Sequence, residues 1–482
     1  MTTPPASAPG TTDQSHPTGA AGAVGATGAD VAARRHAGAV PPALVTDLYE
    51  LTMAAAYQAE GVDHPATFEL FVRSLPPQRR FLMAAGLDDA LDGLESWRFD
   101  DADITYLRSL DRFPAAFLDR LDDLRFTGEV WAVPEGEVVF AGEPLVRVTA
   151  PLVEAQLVET WLLNRIASQT MVASKAARVA LACGERSFVD FSARRDHGVD
   201  AAMAAARAAW MCGAAGTSLV AAGRRFGIPL SGTMAHSFVM SHDDESDAFR
   251  AYARTFPEAV VLLIDTYDTV AGARRAAAVA DELAGEGITI SGVRLDSGDL
   301  GALAHEVRAV LDDAGQPDIE ILASGDLDEH RIAALLAGGA PIDAFGVGTQ
   351  LGTSADAPTL GAVYKLVEDA DGPKMKLASG KVTLPGRKQV WRLDDHDVLS
   401  LADEVVPGGR PLLVQVMADG RRTAVEPLDA VRARATASIA GLPQPLRELA
   451  PSDSAVWPVE ISPGLDGLAA RVQAGLDGGR RP

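Results

Sequence analysis

From Ser187 onward the chain repeats one pattern, a short apolar run that ends in small or charged residues and is followed by a longer stretch of helical composition. The runs are SFVDFSARRDHG, IPLSGTMAHS, AVVLLIDTYDT, ITISGVRLDSGD, IEILASGDLDE and DAFGVGTQLG, and helical stretches such as 200–225, 270–284, 300–313 and 328–336 separate most of them. Strand alternating with helix implies a parallel sheet. An open doubly wound sheet would gather its ligand groups near one switch point, whereas nearly every run here ends in polar residues. That distribution favours a barrel, whose site is assembled from many strand ends on one face. With six clear strands, the expectation is an irregular TIM-like α/β barrel instead of a regular eightfold one.

The strand ends carry the chemistry. Ser192, Arg194 and Arg195 follow the first run, His236 and Ser237 the second, and Asp265, Tyr267 and Asp268 the third. Arg294, Asp296 and Asp299 follow the fourth, Ser324, Gly325 and Asp326 the fifth, and Gly346, Gly348 and Thr349 the sixth. Arginines beside glycine-rich turns suit phosphate, because glycine lets the backbone approach and a helix N-terminus favours an anion. Carboxylates beside them can hold Mg2+, which binds phosphate oxygens in turn. Each piece also has a plain structural reading. Asp299 and Asp328 can be simple helix caps, Ser324-Gly325-Asp326 a simple turn, and His236 a polar residue satisfied in the wall. The functional reading rests on several such ends meeting on one face.

The flanks read differently. Met1 to about Gly38 is Ala, Gly, Thr, Ser and Pro without periodicity, and is expected to be disordered. Asp47 can cap a helix carrying Leu48, Leu51, Met53 and Tyr57; Thr67–Val72 alternates like a strand; and Val130 to Val148 reads as short strands joined by turns. With helices between Gly86 and Leu124 they form an α+β module, after which Pro151 opens a long helix with Trp161 and Ile166 inside. The domain expectation is a tail at 1–38, an α+β part at 39–150, the barrel at 151–392, a C-terminal part at 393–474 packing with the N-terminal one, and a flexible tail at 475–482. The basic segment around Lys376, Lys381 and Arg387 is either a flap over phosphate groups or a solvated hairpin turning at Pro385-Gly386. Arg434 and Arg447 read as surface residues.

Composition narrows the partners. Lys and Arg number 43 against 66 Asp and Glu, a net charge of −23 that disfavours nucleic acid and anionic membranes. No stretch approaches the roughly 20 apolar residues of a membrane span. Two cysteines, Cys183 and Cys212, exclude a disulfide framework and fit a reducing cytoplasm.

Taken in order, TDLYELTM, PEG, EPLVRVTAPLVEAQLVETWLLN, DFSARR, GTSLVAAGRRFGIPLSGTMAHS, LLIDTYDT, RLDSGD, ILASGD and FGVGTQL resemble the nicotinate phosphoribosyltransferases, a likeness running from about Leu44 to Arg392. The resemblance implies a type II phosphoribosyltransferase fold, the irregular barrel flanked by a smaller domain built from both chain ends. It implies conversion of nicotinate and phosphoribosyl pyrophosphate to nicotinate mononucleotide and pyrophosphate, coupled to ATP hydrolysis, in the Preiss-Handler route of NAD salvage. It also implies residue roles. His236 matches the histidine phosphorylated by ATP, Arg194 or Arg195 and Arg294 match substrate-binding arginines, and Asp265 and Asp296 match carboxylates near ribose and Mg2+. Ser324, Gly325, Gly346, Gly348 and Thr349 fall in the segments that hold the 5′-phosphate. Tyr49 matches an aromatic residue covering the pyridine ring in a neighbouring subunit's site, so a homodimer with shared sites is expected. Three rivals stand beside this reading: nicotinamide or quinolinate phosphoribosyltransferase on the same fold, a barrel aldolase or epimerase, and a non-catalytic nicotinate sensor. The second would need a Schiff-base Lys or a metal cluster at a strand end, and none of the six ends carries a Lys.

Overall fold

The structure, a computed structural model, describes residues 42–258, 260–377, 383–449 and 456–477. The expected N-terminal tail and Lys381 lie outside these residues. In chain order the first part supplies β1 (Pro65–Val72), β2 (Leu82–Met83), β3 (Glu129–Ala132), β4 (Val138–Val139) and β5 (Pro144–Pro151). The middle supplies β6 (Ser187–Asp190), β7 (Gly216–Thr217), β8 (Val260–Leu263), β9 (Ile290–Leu295), β10 (Glu320–Ala323) and β11 (Ala344–Val347). The last part supplies β12 (Ala362–Asp369), β13 (Gly372–Pro373), β14 (Lys388–Arg392), β15 (Asp397–Leu401), β16 (Arg410–Pro411), β17 (Val414–Ala418), β18 (Arg421–Arg422) and β19 (Val459–Ile461).

The middle strands form one six-stranded sheet, ordered β7-β6-β11-β10-β9-β8, with every neighbouring pair parallel. The fold is therefore mixed α/β with a parallel sheet, as the alternation predicts. The order carries more information. The last strand, β11, lies against the first, β6, so the sequence order runs round a circle instead of reversing. A bridge from Thr217 to Leu230 extends the far side. That bridge is all that remains of the second expected strand, IPLSGTMAHS. Pro229 and Gly232 interrupt the run, residues 231–235 are a loop, and the chain enters a five-residue helix, His236–Met240.

The helices between the strands end where their sequences say. Asp268, Asp299 and Asp328 are N-caps whose carboxylates accept from the backbone N–H of Ala271, Ala302 and Arg331. Each such cap is worth about 1 kcal/mol. Asp47 precedes the helix Leu48–Glu60 but its side chain makes no cap bond; Thr46 instead gives its hydroxyl to Glu50. The stretch 200–225, expected as one helix, is two, Val199–Met211 and Val220–Phe226, separated by β7.

The flanking strands build a seven-stranded antiparallel sheet, β13-β12-β1-β5-β3-β17-β18, and a four-stranded sheet, β16-β14-β15-β19. The expected 151–392 unit is thus not a single sheet system, because β12 aligns with β1 from Ala66 opposite Asp369 to Val72 opposite Ala362. C-terminal residues join N-terminal ones through β17 on β3, and through Arg422, which pairs with Asp88 and Asp92. The expected loose tail at 475 begins inside a helix, Pro463–Asp477. Arg434 is not a free surface residue, since its guanidinium donates to the Glu135 carbonyl and pairs with Glu426. In the basic segment, Arg387 pairs with Glu368 at 3.1 Å, and the Lys376 N–H donates to the Thr383 hydroxyl.

Two apolar cores result. One surrounds the parallel sheet, with Phe188, Leu262, Val293, Ile321 and Phe345 against alanines of the crossover helices. The other lies under the antiparallel sheet, with Phe68, Trp97, Phe117, Val148 and Trp161. The helix Glu159–Cys183 contributes to both, and its Lys175 is buried between Glu329 at 2.5 Å and Asp356 at 2.8 Å. Among the described residues no helix is long and apolar enough to cross a membrane.

Candidate active site

All strands of the parallel sheet end on one side, and side-chain hydrogen bonds join the ends of β8, β9 and β10 and those of β6 and β7. Asp265, just past β8, is buried; its Oδ2 accepts the Asp296 N–H at 3.0 Å and the Ser297 hydroxyl at 2.6 Å. Asp296, just past β9, accepts the Ser324 hydroxyl from the end of β10. The three strand ends thus share one carboxylate–hydroxyl chain. Asp265 Oδ1, by contrast, is buried with no hydrogen-bond partner. A buried carboxylate oxygen without a donor is costly unless something is meant to occupy it.

Arg294, the penultimate residue of β9, donates to the Met234 carbonyl at 3.1 Å, and its Nε is buried without a partner. Burial lowers its pKa, the charges of Asp296 and Asp265 oppose that, and Arg194 adds to the lowering. Arg194 is therefore near enough to feel Arg294 across the rim. Both Arg194 and Arg195 are exposed. His236 stands at the start of its helix, not at a strand end, and its Nδ1 lies 3.2 Å from the Thr266 hydroxyl, one residue beyond Asp265. The other ring nitrogen makes no hydrogen bond among the described residues.

The glycine turns separate into two kinds. Gly325 has φ +97°, and a Cβ there would lie 2.2 Å from the Asp296 carbonyl oxygen, so the turn after β10 requires glycine. Asp326 follows with φ 47°. Gly346 instead lies inside β11, opposite Val189, where a Cβ would meet the Phe191 ring at 2.5 Å. Its missing side chain answers to packing. Gly348 is outside the strand and is the N-cap of the four-residue helix beginning at Thr349.

Tyr49 is not brought to this rim. It lies on the helix Leu48–Glu60, half exposed, and its hydroxyl pKa is raised by burial and then by the charges of Glu159 and Glu50, neither a strand-end residue. Residues the sequence reading passed over are Asp190, Thr217 and Asp196. Asp190 ends β6, is fully buried, and accepts Ser192 N–H and the Thr217 hydroxyl at 2.9 and 2.8 Å. The signal was a carboxylate inside an apolar run, DFSARR, without an adjacent cation. Among the described residues no cluster of three or more His, Cys, Asp or Glu could hold a metal alone. The open Asp265 Oδ1, with Asp296 beside it, is where a Mg2+ could be held, an ion that commonly uses one or two carboxylates and leaves the rest to phosphate and water.

A parallel α/β sheet of circular strand order, with linked carboxylates, arginines and a glycine turn on one rim, defines a class of α/β protein whose strand-end site suits anionic, phosphate-bearing molecules. The chain is matched at residues 44–167 by the nicotinate phosphoribosyltransferase (NAPRTase) N-terminal domain and at 186–375 by the nicotinate phosphoribosyltransferase (NAPRTase) family. It is 50% identical over 450 residues to nicotinate phosphoribosyltransferase pncB2 of Mycobacterium tuberculosis, covering 92% of this chain and 96% of that protein. It is 46% identical over 378 residues to nicotinate phosphoribosyltransferase of Bacillus subtilis, covering 75% and 77%. The crystal structure of human nicotinic acid phosphoribosyltransferase superposes with a TM-score of 0.80 at 32% identity, over 89% of this chain and 99% of that one. The chain belongs to the nicotinate phosphoribosyltransferase family, a family of transferases.

Proposed function

We propose that the protein is a nicotinate phosphoribosyltransferase that makes nicotinate mononucleotide and pyrophosphate from nicotinate and phosphoribosyl pyrophosphate, with ATP hydrolysis coupled to the reaction, as the nicotinate-using entry to NAD salvage, the Preiss-Handler route. The observation that carries the proposal is the rim itself: Asp265 and Asp296, tied together and to Ser324, leave one buried carboxylate oxygen open beside a cation, Arg294. Family membership supplies the substrates by analogy.

In this mechanism the pyridine nitrogen attacks the ribose anomeric carbon as its bond to the pyrophosphate oxygen breaks. The sugar passes through a transition state with oxocarbenium character, and the Asp265 and Asp296 carboxylates stabilise its positive charge. Mg2+, held by these two residues, would supply neutralisation of the leaving pyrophosphate. Arg294, with Arg194 or Arg195, binds anionic groups, and one guanidinium forms a two-pronged pair with the nicotinate carboxylate that an amide cannot reproduce. Ser324, the Gly325 turn, and Gly348 with Thr349 at a helix start hold the 5′-phosphate. Gly346 would act only through the strand that carries them.

His236 receives the γ-phosphoryl group of ATP on the ring nitrogen not facing Thr266, releasing ADP, and water later breaks the P–N bond to give phosphate. The circular strand order and the bridge to Leu230 support an irregular TIM-like barrel, open where His236 enters. The antiparallel sheet, drawn from both ends of the chain, supports a smaller second domain. Tyr49 being apart from the rim and exposed supports a homodimer in which it completes a neighbour's site. Two unpaired, buried cysteines fit a cytoplasmic enzyme.

The test is pyrophosphate release with nicotinate, nicotinamide and quinolinate in parallel, each with and without ATP. Release with nicotinate, stimulated by ATP, is expected. Release with another pyridine only, or none at all, overturns the assignment.

A further inference from the structure

Ser192 has one hydroxyl hydrogen and two carboxylates within reach. Its Oγ stands 2.6 Å from Asp190 Oδ1 and 3.0 Å from Asp196 Oδ2. Only one of these contacts can use the serine's hydrogen, so the other is a hydrogen bond only when its carboxyl carries a hydrogen of its own. Asp190 is the better anion. Its Oδ1 accepts the Ser192 N–H at 2.9 Å, its Oδ2 accepts the Thr217 hydroxyl at 2.8 Å, and the Thr217 oxygen accepts Leu219 N–H at 3.1 Å. Donors on both oxygens favour the ionised form.

Asp196 has no such shell. Its Oδ1 is buried without a hydrogen-bond partner, and the Gly352 backbone comes so close that a Cβ there would lie 2.0 Å from it. A carboxylic acid tolerates a donorless oxygen better than a carboxylate does. Burial raises the Asp196 pKa, the Ser192 bond opposes this, the charge of Asp190 raises it further, and His197 lowers it. The ionisable groups acting on it are thus Asp190 from β6 and its own neighbour His197, and the Gly352 backbone of the helix Thr349–Gly352 packs against its Oδ1.

We propose that Asp196 holds a proton at neutral pH and donates it to Ser192 Oγ, which donates its own to Asp190, so that a relay of three side chains locks the turn presenting Arg194 and Arg195. The turn is short and already closed by Arg195 N–H on the Ser192 carbonyl at 2.7 Å and Gly198 N–H on the Asp196 carbonyl at 2.8 Å. Losing the proton would set two carboxylates against one hydroxyl, and the turn would rearrange to move Asp196 toward water. Asp196 is therefore a positioning residue for the arginines, and its consequence for substrate rests on the function proposed above.

The test has a spectroscopic arm and a kinetic arm, both on the full chain. Infrared difference spectra at neutral pH should show a protonated-carboxyl carbonyl band that disappears in Asp196→Asn. The wild-type KM for nicotinate should rise about tenfold from neutral to alkaline pH with kcat changed less than about twofold; this corresponds to roughly 1.4 kcal/mol. Asp196→Asn, a permanent donor, should hold KM low and flat, while Asp196→Ala should be high throughout. Ser192→Ala, which removes the shared hydroxyl, should also flatten the profile and serves if the asparagine variant folds poorly. An unchanged infrared band, or a pH profile in Asp196→Asn parallel to wild type, overturns the proposal. If the band is lost but no variant or wild type turns over nicotinate, the proton assignment stands and the functional reading fails.

Discussion

At the scale of single residues, Asp296 and His236 divide the proposed reaction between them. Asp296 accepts a hydroxyl from Ser324 and gives its backbone N–H to Asp265, so Asn in its place keeps an acceptor oxygen and the backbone bond. Asp296→Asn should therefore melt within a few degrees of wild type while turnover falls on the order of a hundredfold or more, the scale of losing one charge-stabilising group in a closed site. Near-normal pyrophosphate release at saturating Mg2+ would remove Asp296 from the reaction. His236 meets Thr266, and none of its bonds reach the carboxylate chain. His236→Ala should abolish nicotinate-dependent ATP hydrolysis and acid-labile labelling from γ-labelled ATP, yet leave slow mononucleotide synthesis, because the groups acting on the ribose are elsewhere. A variant still stimulated by ATP to the wild-type degree would mean another residue couples the two reactions.

At the scale of elements, the helix Leu48–Glu60 carries a test of its own. Glu50 is buried, and burial pushes its pKa up to about 7 although Thr160 and Thr46 both give it hydroxyl hydrogens; the charge of Glu159 adds to the rise. A carboxyl whose folded pKa is raised favours the folded state while protonated, so stability falls as pH climbs from the usual carboxylate range through about 7 and is flat above. Relative to Glu50→Gln, wild type should lose on the order of 1–2 kcal/mol between about pH 5 and about pH 8, read as the difference in urea midpoints. Parallel curves for the two proteins would show that Glu50 stays ionised throughout. Elements also show what was legible beforehand. Runs such as VVLLID and ISGVRLD announce strands that end in carboxylates because burial and polarity change within two residues, and Asp268, Asp299 and Asp328 announce helix starts for the same reason. The run around Leu230 misleads, because Pro229 and Gly232 leave it only one bridge. β7 has two residues, too few for any periodicity. The partner of β12 is β1, about 300 residues earlier in the chain, and pairing at that distance leaves no local mark. The Asp190–Ser192–Asp196 relay was invisible because it depends on which oxygen faces which hydroxyl.

At the scale of the whole molecule, the net charge of −23 opposes the charge of the arginines on the rim. Asp13 and Asp30 balance Arg34 and Arg35 in the first 41 residues, so the negative field belongs to the remainder. A folded body of roughly 440 residues has a radius of gyration of roughly 20–25 Å. At about 10 mM salt the screening length is roughly 30 Å, so phosphoribosyl pyrophosphate approaching the rim feels the entire negative body. At about 100 mM it is roughly 10 Å, and the substrate then feels mainly Arg194, Arg195 and Arg294. Raising KCl at fixed free Mg2+ should therefore increase kcat/KM for phosphoribosyl pyrophosphate several-fold up to about 100 mM and decrease it beyond, as the arginine contacts themselves become screened. Nicotinate, with a single charge, should show a shallower rise over the same range. A monotonic fall from the lowest salt would mean that the positive rim governs approach at every distance and that the acidic surface faces away from the substrate's path.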